Sequence, residues 1–179
     1  MAQFKAFDPN VEVIGKTVRL VIETMGLFER MATDIFAKYG IMNITDNGWY
    51  PQQAYLDVYR EIYEKVGLKT MKMIGKQVPE KVLWPPNITT IEAALASIDV
   101  AYHMNHRGGE IGYYRFEQTG ERSGTIVCYN PYPCPFDHGL IEATANKFAP
   151  PGGHARVEHD ESQPCRVKGG EMCTYQISW

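Results

Sequence analysis

Three cysteines in the second half of the chain, with a histidine-containing acidic run between the first two, are residue types that bind metal ions. The cysteines are Cys134, Cys165 and Cys173, and the run is Glu158-His159-Asp160-Glu161. Cys165 and Cys173 flank a glycine turn that opens a short terminal strand, so the turn can bring both sulfurs to one point. Three thiolates with one carboxylate or imidazole make the closed tetrahedral shell that structural zinc prefers. The pattern therefore predicts a zinc site, and buried unligated cysteines or a disulfide are the alternatives.

Composition and charge narrow the class of protein. A length of 179 residues is enough for a sizeable core, and we expect residues 1–179 to form one domain. The net charge of −3 gives no basic surface for nucleic acid. The apolar runs are too short for a membrane span, and the first residues lack the apolar stretch of a secretory signal. Cysteines without an export signal then favour a cytoplasmic protein with free or metal-bound thiols.

The first half of the chain has apolar residues at helical spacing. An N-cap and proline pair at Asp8-Pro9 predicts a first helix that runs to Gly26. Further helical patterns follow, and Thr89 with Glu92 forms a capping box before the last long helix. Residues 8–107 are therefore predicted to be a helical half.

From residue 110 onward the period becomes alternating, which is typical of strands. Two alternating segments precede a helical segment that begins at Phe136, and two more alternating segments follow it. Adjacent strands joined by short loops pair in antiparallel fashion. We therefore predict an α+β fold, in which N-terminal helices pack on a four-stranded antiparallel sheet and residues 110–179 have the order ββαββ.

The closing segment of the chain resembles a known signature. It has a cysteine before a helix that carries a glycine, then a glutamate, and then two cysteines around a glycine-containing stretch. These residues are Cys134, Gly139, Glu158, Cys165 and Cys173. The order is similar to the closing signature of the 4-vinyl reductase domain family, which shares its fold with haem-type nitric-oxide sensors and with subunits of vesicle-tethering complexes. The resemblance implies a small-molecule-binding α+β domain.

The resemblance also implies a set of zinc ligands. In phenol-sensing bacterial activators that contain this domain, three cysteines and a glutamate hold a structural zinc. Carried over by position, the ligands here would be Cys134, Cys165, Cys173 and Glu158. Glu158 lies farther ahead of its cysteine than the family's glutamate usually does, and strand alternation places His159 on the opposite face. His159 is therefore the alternative fourth ligand, and Glu161 is a further one.

Aromatic and histidine side chains mark a candidate pocket where the last long helix meets the sheet. The candidate ligand contacts are Tyr102, His103, His106, Tyr114 and Phe116. A pocket between helices and sheet with this lining would take a small apolar or aromatic ligand. The alternatives are a solvated helix end for the two histidines and ordinary core packing for the aromatic residues.

The leading hypothesis is a non-enzymatic, small-molecule-binding sensory domain with a structural zinc site and an apolar pocket. Haem is not expected, because the chain lacks the Tyr-x-Ser-x-Arg element of haem-binding relatives and no histidine stands out as a proximal ligand. One alternative is a reductase or accessory protein acting on vinyl-tetrapyrroles, although no G-x-G-x-x-G fingerprint follows a strand. We expect a homodimer, and the second alternative is an assembly module that pairs through its first two helices.

Overall fold

The elements run in the predicted order, helices first and the sheet last, in the computed structural model, which describes residues 3–82 and 84–179. The described helices are α1 (Gly15–Thr24), α2 (Glu29–Lys38), α3 (Gln52–Val66), α4 (Leu68–Lys81), α5 (Ile91–Met104) and α6 (Cys134–Lys147). The described strands are β1 (Glu12–Ile14), β2 (Trp49–Pro51), β3 (His106–Arg107), β4 (Tyr113–Gly120), β5 (Ser123–Tyr129), β6 (Arg156–His159) and β7 (Cys173–Ser178). Short 3-10 turns cover Gly26–Phe28 and Arg166–Lys168.

The main sheet has the strand order β4-β5-β7-β6, and every neighbouring pair is antiparallel. Along the chain these strands and α6 follow one another as ββαββ, which confirms the predicted α+β fold. The register places His159 opposite Tyr175, two residues after Cys173. Residues opposite each other project to the same face, as do residues two apart on one strand. The side chains of His159, Tyr175 and Cys173 therefore share one face of the sheet.

A second, smaller sheet corrects the predicted first helix. Strand β1 pairs with β2 on one side and with β3 on the other, and Val13 lies opposite both Tyr50 and His106. The prediction of a helix from Asp8-Pro9 was wrong at its start, because α1 begins only at Gly15. The strands that hold β1 are distant in sequence, so their backbone hydrogen bonds leave no trace in the local apolar spacing. This small sheet fixes His106 directly beyond the end of α5.

Helices α4 and α6 approach each other through two glycines. A Cβ atom placed on Gly75 would lie 2.1 Å from the Phe136 carbonyl oxygen, and one placed on Gly139 would lie 2.1 Å from the Lys72 carbonyl oxygen. No side chain can come this close to a backbone atom, so the crossing requires glycine at both positions. The contact fixes α6 against the helical half, and it thereby also fixes Cys134, the first residue of α6.

The buried apolar side chains of the helices and of the main sheet form one continuous core. Tyr55, Leu56 and Tyr59 of α3 contribute to it from the helical half, while Ile126 and Tyr175 contribute from the sheet. Helix α6 contributes to the same core, and it also contacts α4, α5 and β6. Of the helices in the described part of the chain, none has the length and apolar character needed to cross a membrane.

Candidate metal centre and ligand cavity

Three different segments place the predicted cysteines at one point. Cys134 opens α6, Cys173 opens β7, and Cys165 stands directly before the 3-10 turn. That turn ends at Gly169, whose φ of 92° lies in the left-handed region that glycine adopts at little cost. The backbone amides of Lys168 and Gly170 both donate to the Cys165 carbonyl oxygen at 2.9 Å. The turn thus folds back as predicted and returns the chain to the start of β7.

The three sulfurs are near enough to share one ion. Their Sγ–Sγ distances are 3.6 Å for Cys134–Cys165, 3.8 Å for Cys165–Cys173 and 2.9 Å for Cys134–Cys173. Zn–S bonds of ~2.3 Å in a tetrahedral shell place two sulfurs about 3.8 Å apart. Two of the three separations therefore already suit zinc, and the third would open by roughly 0.9 Å on binding. All three cysteines are buried free thiols rather than members of a disulfide.

The fourth group at this point is His159, and Glu158 lies elsewhere. A ring nitrogen of His159 and the three sulfurs all lie within 4.8 Å of one another. The Nε2 atom of His159 is buried and has no hydrogen-bond partner among the described residues, which is costly unless another group binds it. The Glu158 side chain is 58% exposed and contacts the Arg156 guanidinium at 2.6 Å, while Glu161 is 79% exposed. Strand alternation explains this outcome, since His159 faces the core and Glu158 faces solvent.

The two closest sulfurs are within hydrogen-bond distance of each other. The Cys134 and Cys173 sulfurs lie 2.9 Å apart, and either one can donate to the other. This hydrogen bond, helped by the positive charge of the nearby Arg166, lowers the pKa of Cys173 to about 4. The same hydrogen bond and burial raise the pKa of Cys134. Cys173 is therefore the sulfur of this pair that loses its proton more readily, and the thiolate is the form of cysteine that binds metal ions.

A buried arginine next to the second of these cysteines was not predicted from the sequence. The Arg166 side chain is fully buried, and its Nε atom donates to the Cys173 sulfur at 3.5 Å. Its terminal nitrogens donate to the Asp137 carboxylate and to two oxygens of Asn130. Asp137 also accepts a hydrogen bond of 2.6 Å from the Tyr114 hydroxyl. The sequence contains one indication of its role, because Arg166 directly follows Cys165, a predicted metal ligand.

An apolar cavity of about 90 Å³ lies between the helices and the sheet. Helices α1, α3, α4, α5 and α6 contribute to its wall, together with β4 and the segments after α4 and β5. The lining residues are Thr17, Tyr55, Val78, Pro79, Val82, Trp84, Ile98, Ala101, Tyr102, Asn105, His106, Tyr114, Tyr132, Phe136, Leu140 and Thr144. Most of these side chains are aliphatic or aromatic, so the cavity suits an apolar molecule.

Three of the five predicted ligand contacts, Tyr102, His106 and Tyr114, line this cavity. His103 does not line it, because its side chain is 52% exposed on the outer side of α5. Phe116 lies two residues after Tyr114 on β4, and its ring packs against Gly124. The prediction thus located the region of the cavity, but helix and strand geometry removed two of the side chains from its wall.

His106 is held in one tautomer by its two hydrogen bonds. Its Nδ1 atom lies 2.8 Å from the Tyr102 carbonyl oxygen, and its Nε2 atom lies 2.7 Å from the Tyr132 hydroxyl. A carbonyl oxygen can only accept, so Nδ1 carries the proton and Nε2 accepts from Tyr132. Burial lowers the pKa of His106 to about 4, so the ring is neutral at pH 7. A neutral imidazole with Nδ1 bound to a carbonyl is the form in which histidine ligates metals through Nε2.

Asn105 provides a further polar atom in the cavity wall. Its Nδ2 atom donates to the Ala101 carbonyl oxygen at 2.6 Å. Its Oδ1 atom is buried and accepts no hydrogen bond from any residue in the described ranges. Asn105, a residue of the wall, therefore carries a buried acceptor without a partner among the described residues.

Comparison with known proteins identifies the fold. No protein-family model matches the sequence, and no curated protein matches it either. A mutant H-NOX protein from S. oneidensis in the Fe(II) state is 12% identical, with a TM-score of 0.66 over 92% of this chain and 95% of that chain. The Fe(II) unliganded H-NOX protein from K. algicida is 14% identical, with a TM-score of 0.64 and the same coverage. The chain therefore has the fold of H-NOX structures.

These comparisons correct the expectation about haem. The matching structures include Fe(II) H-NOX proteins and one from work on haem distortion in the H-NOX family, which is 14% identical with a TM-score of 0.65 over 92% of this chain and 94% of that chain. The conclusion that no haem is expected was therefore wrong, because it relied on a missing motif while the fold is that of haem proteins. The predicted relation to haem-type sensors is confirmed at the level of fold, and the 4-vinyl reductase resemblance stays a prediction.

Proposed function

We propose that this protein is a small-molecule-binding sensory domain with a structural zinc ion at the metal centre and a ligand in the cavity. One observation carries the metal site: three buried sulfurs and a ring nitrogen of His159 lie within 4.8 Å of one another. The Nε2 atom of that ring is buried and has no hydrogen-bond partner among the described residues. The H-NOX fold supports the ligand-binding part of the proposal, since the solved structures that share it include an Fe(II) form and one from work on haem distortion.

The proposed zinc ligands are Cys134, Cys165, Cys173 and His159. Four protein ligands leave no open coordination position for a reactive water, so this ion would be structural rather than catalytic. It would join the start of α6, the end of β6 and the start of β7. Zinc binding would therefore contribute directly to the stability of the fold.

The metal content of protein purified without chelator tests this site. We expect one zinc per chain in the wild type. Cys173→Ser and His159→Ala each remove a proposed ligand and are expected to lose the metal. Glu158→Ala is the matched control, because this neighbouring side chain points to solvent and its loss should leave the zinc content unchanged. A full zinc content in His159→Ala together with loss of zinc in Glu158→Ala would contradict the proposed ligand set.

For the cavity, we propose a compact apolar or aromatic ligand. An apolar protein cavity of ~150 Å³ takes up benzene, and the cavity here has about 90 Å³. A small ring would therefore need only modest movement of the lining side chains. The unpaired Oδ1 atom of Asn105 would accept a hydrogen bond from a hydroxyl or amine group on such a ligand.

Haem is a second candidate for the cavity, and the state of His106 favours it. The neutral ring offers Nε2 as an iron ligand while its Nδ1–H stays bonded to the Tyr102 carbonyl oxygen. Binding would require Nε2 to release Tyr132 and the wall at α5 and Trp84 to move outward, because a porphyrin is far larger than this cavity. A bound haem would supply an iron centre for a diatomic gas, as in the Fe(II)NO form of the S. oneidensis protein.

A further inference from the structure

We infer that Tyr114, Asp137 and Arg166 form a polar relay that positions the metal centre from the wall of the cavity. Each member contacts the next through a buried hydrogen bond, and the last member contacts a proposed zinc ligand. The inference rests on the proposed zinc site and adds to it a route by which cavity and metal affect each other.

At the metal end, Arg166 holds two ligand-bearing segments. It follows Cys165 directly in the chain, and its Nε atom donates to the Cys173 sulfur at 3.5 Å. Groups that donate to metal ligands from outside the coordination shell fix ligand orientation, and their loss typically weakens metal binding. The positive charge of Arg166 also lies beside a zinc-bound set of three thiolates, which would carry one net negative charge.

In the middle of the relay, Asp137 collects hydrogen bonds from several donors. It lies on α6, one helical turn after Cys134, and it accepts from Arg166, from the Tyr114 hydroxyl and from the Asn130 amide at 3.4 Å. Asp137 and Arg166 are both fully buried. Breaking a buried ion pair by moving one partner leaves the other uncompensated, so the two groups must move together.

At the cavity end, the Tyr114 side chain would contact a ligand bound in the cavity. Its ring is part of the cavity wall, and its hydroxyl donates to Asp137 at 2.6 Å. A ligand that displaces this ring must lengthen or break that hydrogen bond. The displacement would then reach Arg166 and the Cys173 sulfur through the two remaining contacts.

Tyr102 provides a matched control for Tyr114. Its ring lies 5.2 Å from the Tyr114 ring, between centroids, and lines the same cavity. Both side chains are buried. The Tyr102 hydroxyl, however, donates to the Ile111 carbonyl oxygen at 2.6 Å and takes no part in the relay. Removing one hydroxyl oxygen from each tyrosine therefore makes the same chemical change inside and outside the relay.

The test is the Zn(II) affinity of the full chain, measured by competition with a chromophoric chelator. Tyr114→Phe is expected to weaken zinc binding by up to about tenfold, which is the lower end of the effect of losing a group bonded directly to a metal ligand. Tyr102→Phe is expected to leave the affinity unchanged. Arg166→Lys keeps the charge but loses the planar donor set, so it should weaken binding at least as much as Tyr114→Phe.

Co(II) in place of zinc separates positioning from a general loss of stability. Its visible absorption reports ligand geometry, so Tyr114→Phe should shift the bands and Tyr102→Phe should not. Equal zinc affinities and equal Co(II) spectra for the two variants would overturn the relay and leave the zinc site standing. A wild type that binds neither metal would overturn the zinc site itself, and the relay with it.

Discussion

At the scale of single residues, the charge state of His106 is determined by its surroundings. His106 as a residue is 9% exposed, and its ring lies between the Tyr102 carbonyl oxygen and the Tyr132 hydroxyl. Burial, opposed by the bond to Tyr102 and reinforced by His103, lowers its pKa from 6.5 to about 4. The folded protein therefore holds a neutral ring at pH values where an unfolded chain would protonate it.

This difference predicts a loss of stability in mild acid. Between pH 6.5 and pH 4 the unfolded chain binds a proton at His106 that the folded protein does not bind, so the free energy of unfolding falls as the pH falls. Between pH 7 and pH 4.5 this contribution amounts to about 2 kcal/mol. Urea unfolding of the wild type and of His106→Asn at both pH values measures it. The variant, whose amide does not titrate, should lose about 2 kcal/mol less, and an equal loss would contradict the prediction.

The metal centre shows which residues a sequence can reveal. The glycine turn and the strand pattern were enough to bring Cys165 and Cys173 together, and the helix after Cys134 supplied the third sulfur. Strand alternation also places Glu158 and His159 on opposite faces of the sheet, so only one of them can face the cysteines. The family resemblance favoured the glutamate, and the structure places the histidine there. The burial of Arg166 could not be predicted, since a buried cation depends on partners such as Asp137 that only the folded chain brings close.

At the scale of elements, the crossing of α4 and α6 sets the position of the metal centre. The backbones touch at Gly75 and Gly139, and Cys134 stands at the start of α6. Within a free helix, alanine is favoured over glycine by about 1 kcal/mol. At Gly139 the added carbon would instead meet the Lys72 carbonyl oxygen at 2.1 Å, and a backbone atom cannot rotate away.

Gly139→Ala is therefore expected to destabilise the protein despite its better helix propensity. Overpacking a tight contact costs about 1–3 kcal/mol, which outweighs the gain in propensity. Denaturant unfolding measures the change, and the zinc content should fall because Cys134, the first residue of α6, shifts with the helix. A more stable variant with unchanged zinc content would show that the two helices can separate without cost.

The elements themselves were predictable to different degrees. The alternating segments gave the four strands of the main sheet and their ββαββ order, because each strand has one buried face. The small sheet of β1, β2 and β3 was missed, since Val11 and Ile14, on either side of Val13 in the sequence, fit a helical pattern. Pairing with Tyr50 and His106 decides the outcome, and those residues are remote in the chain.

At the scale of the whole molecule, the cavity and the metal centre lie on either side of the same buried network. Tyr114 and Tyr132 belong to the cavity wall, while Asp137, Asn130 and Arg166 connect that wall to the sulfurs. In the proposed relay, occupancy of one site would alter contacts at the other. Because the coupling free energy between two binding sites is reciprocal, zinc would change the affinity for the ligand by the same factor as the ligand changes the affinity for zinc.

The identity of the occupant can be decided on the intact protein with benzene and haemin as probes. A ligand that binds only the folded protein stabilises it by about 2.7 kcal/mol at a hundred times its dissociation constant. Benzene should therefore raise the unfolding temperature of the wild type, and it should not do so in Ile98→Phe, whose larger ring fills the cavity. Haemin should give an absorption band that depends on His106 if iron binds there, so His106→Ala would abolish it. No effect of benzene on either protein would reject the compact ligand, and a haemin band lost in His106→Ala would assign the cavity to haem.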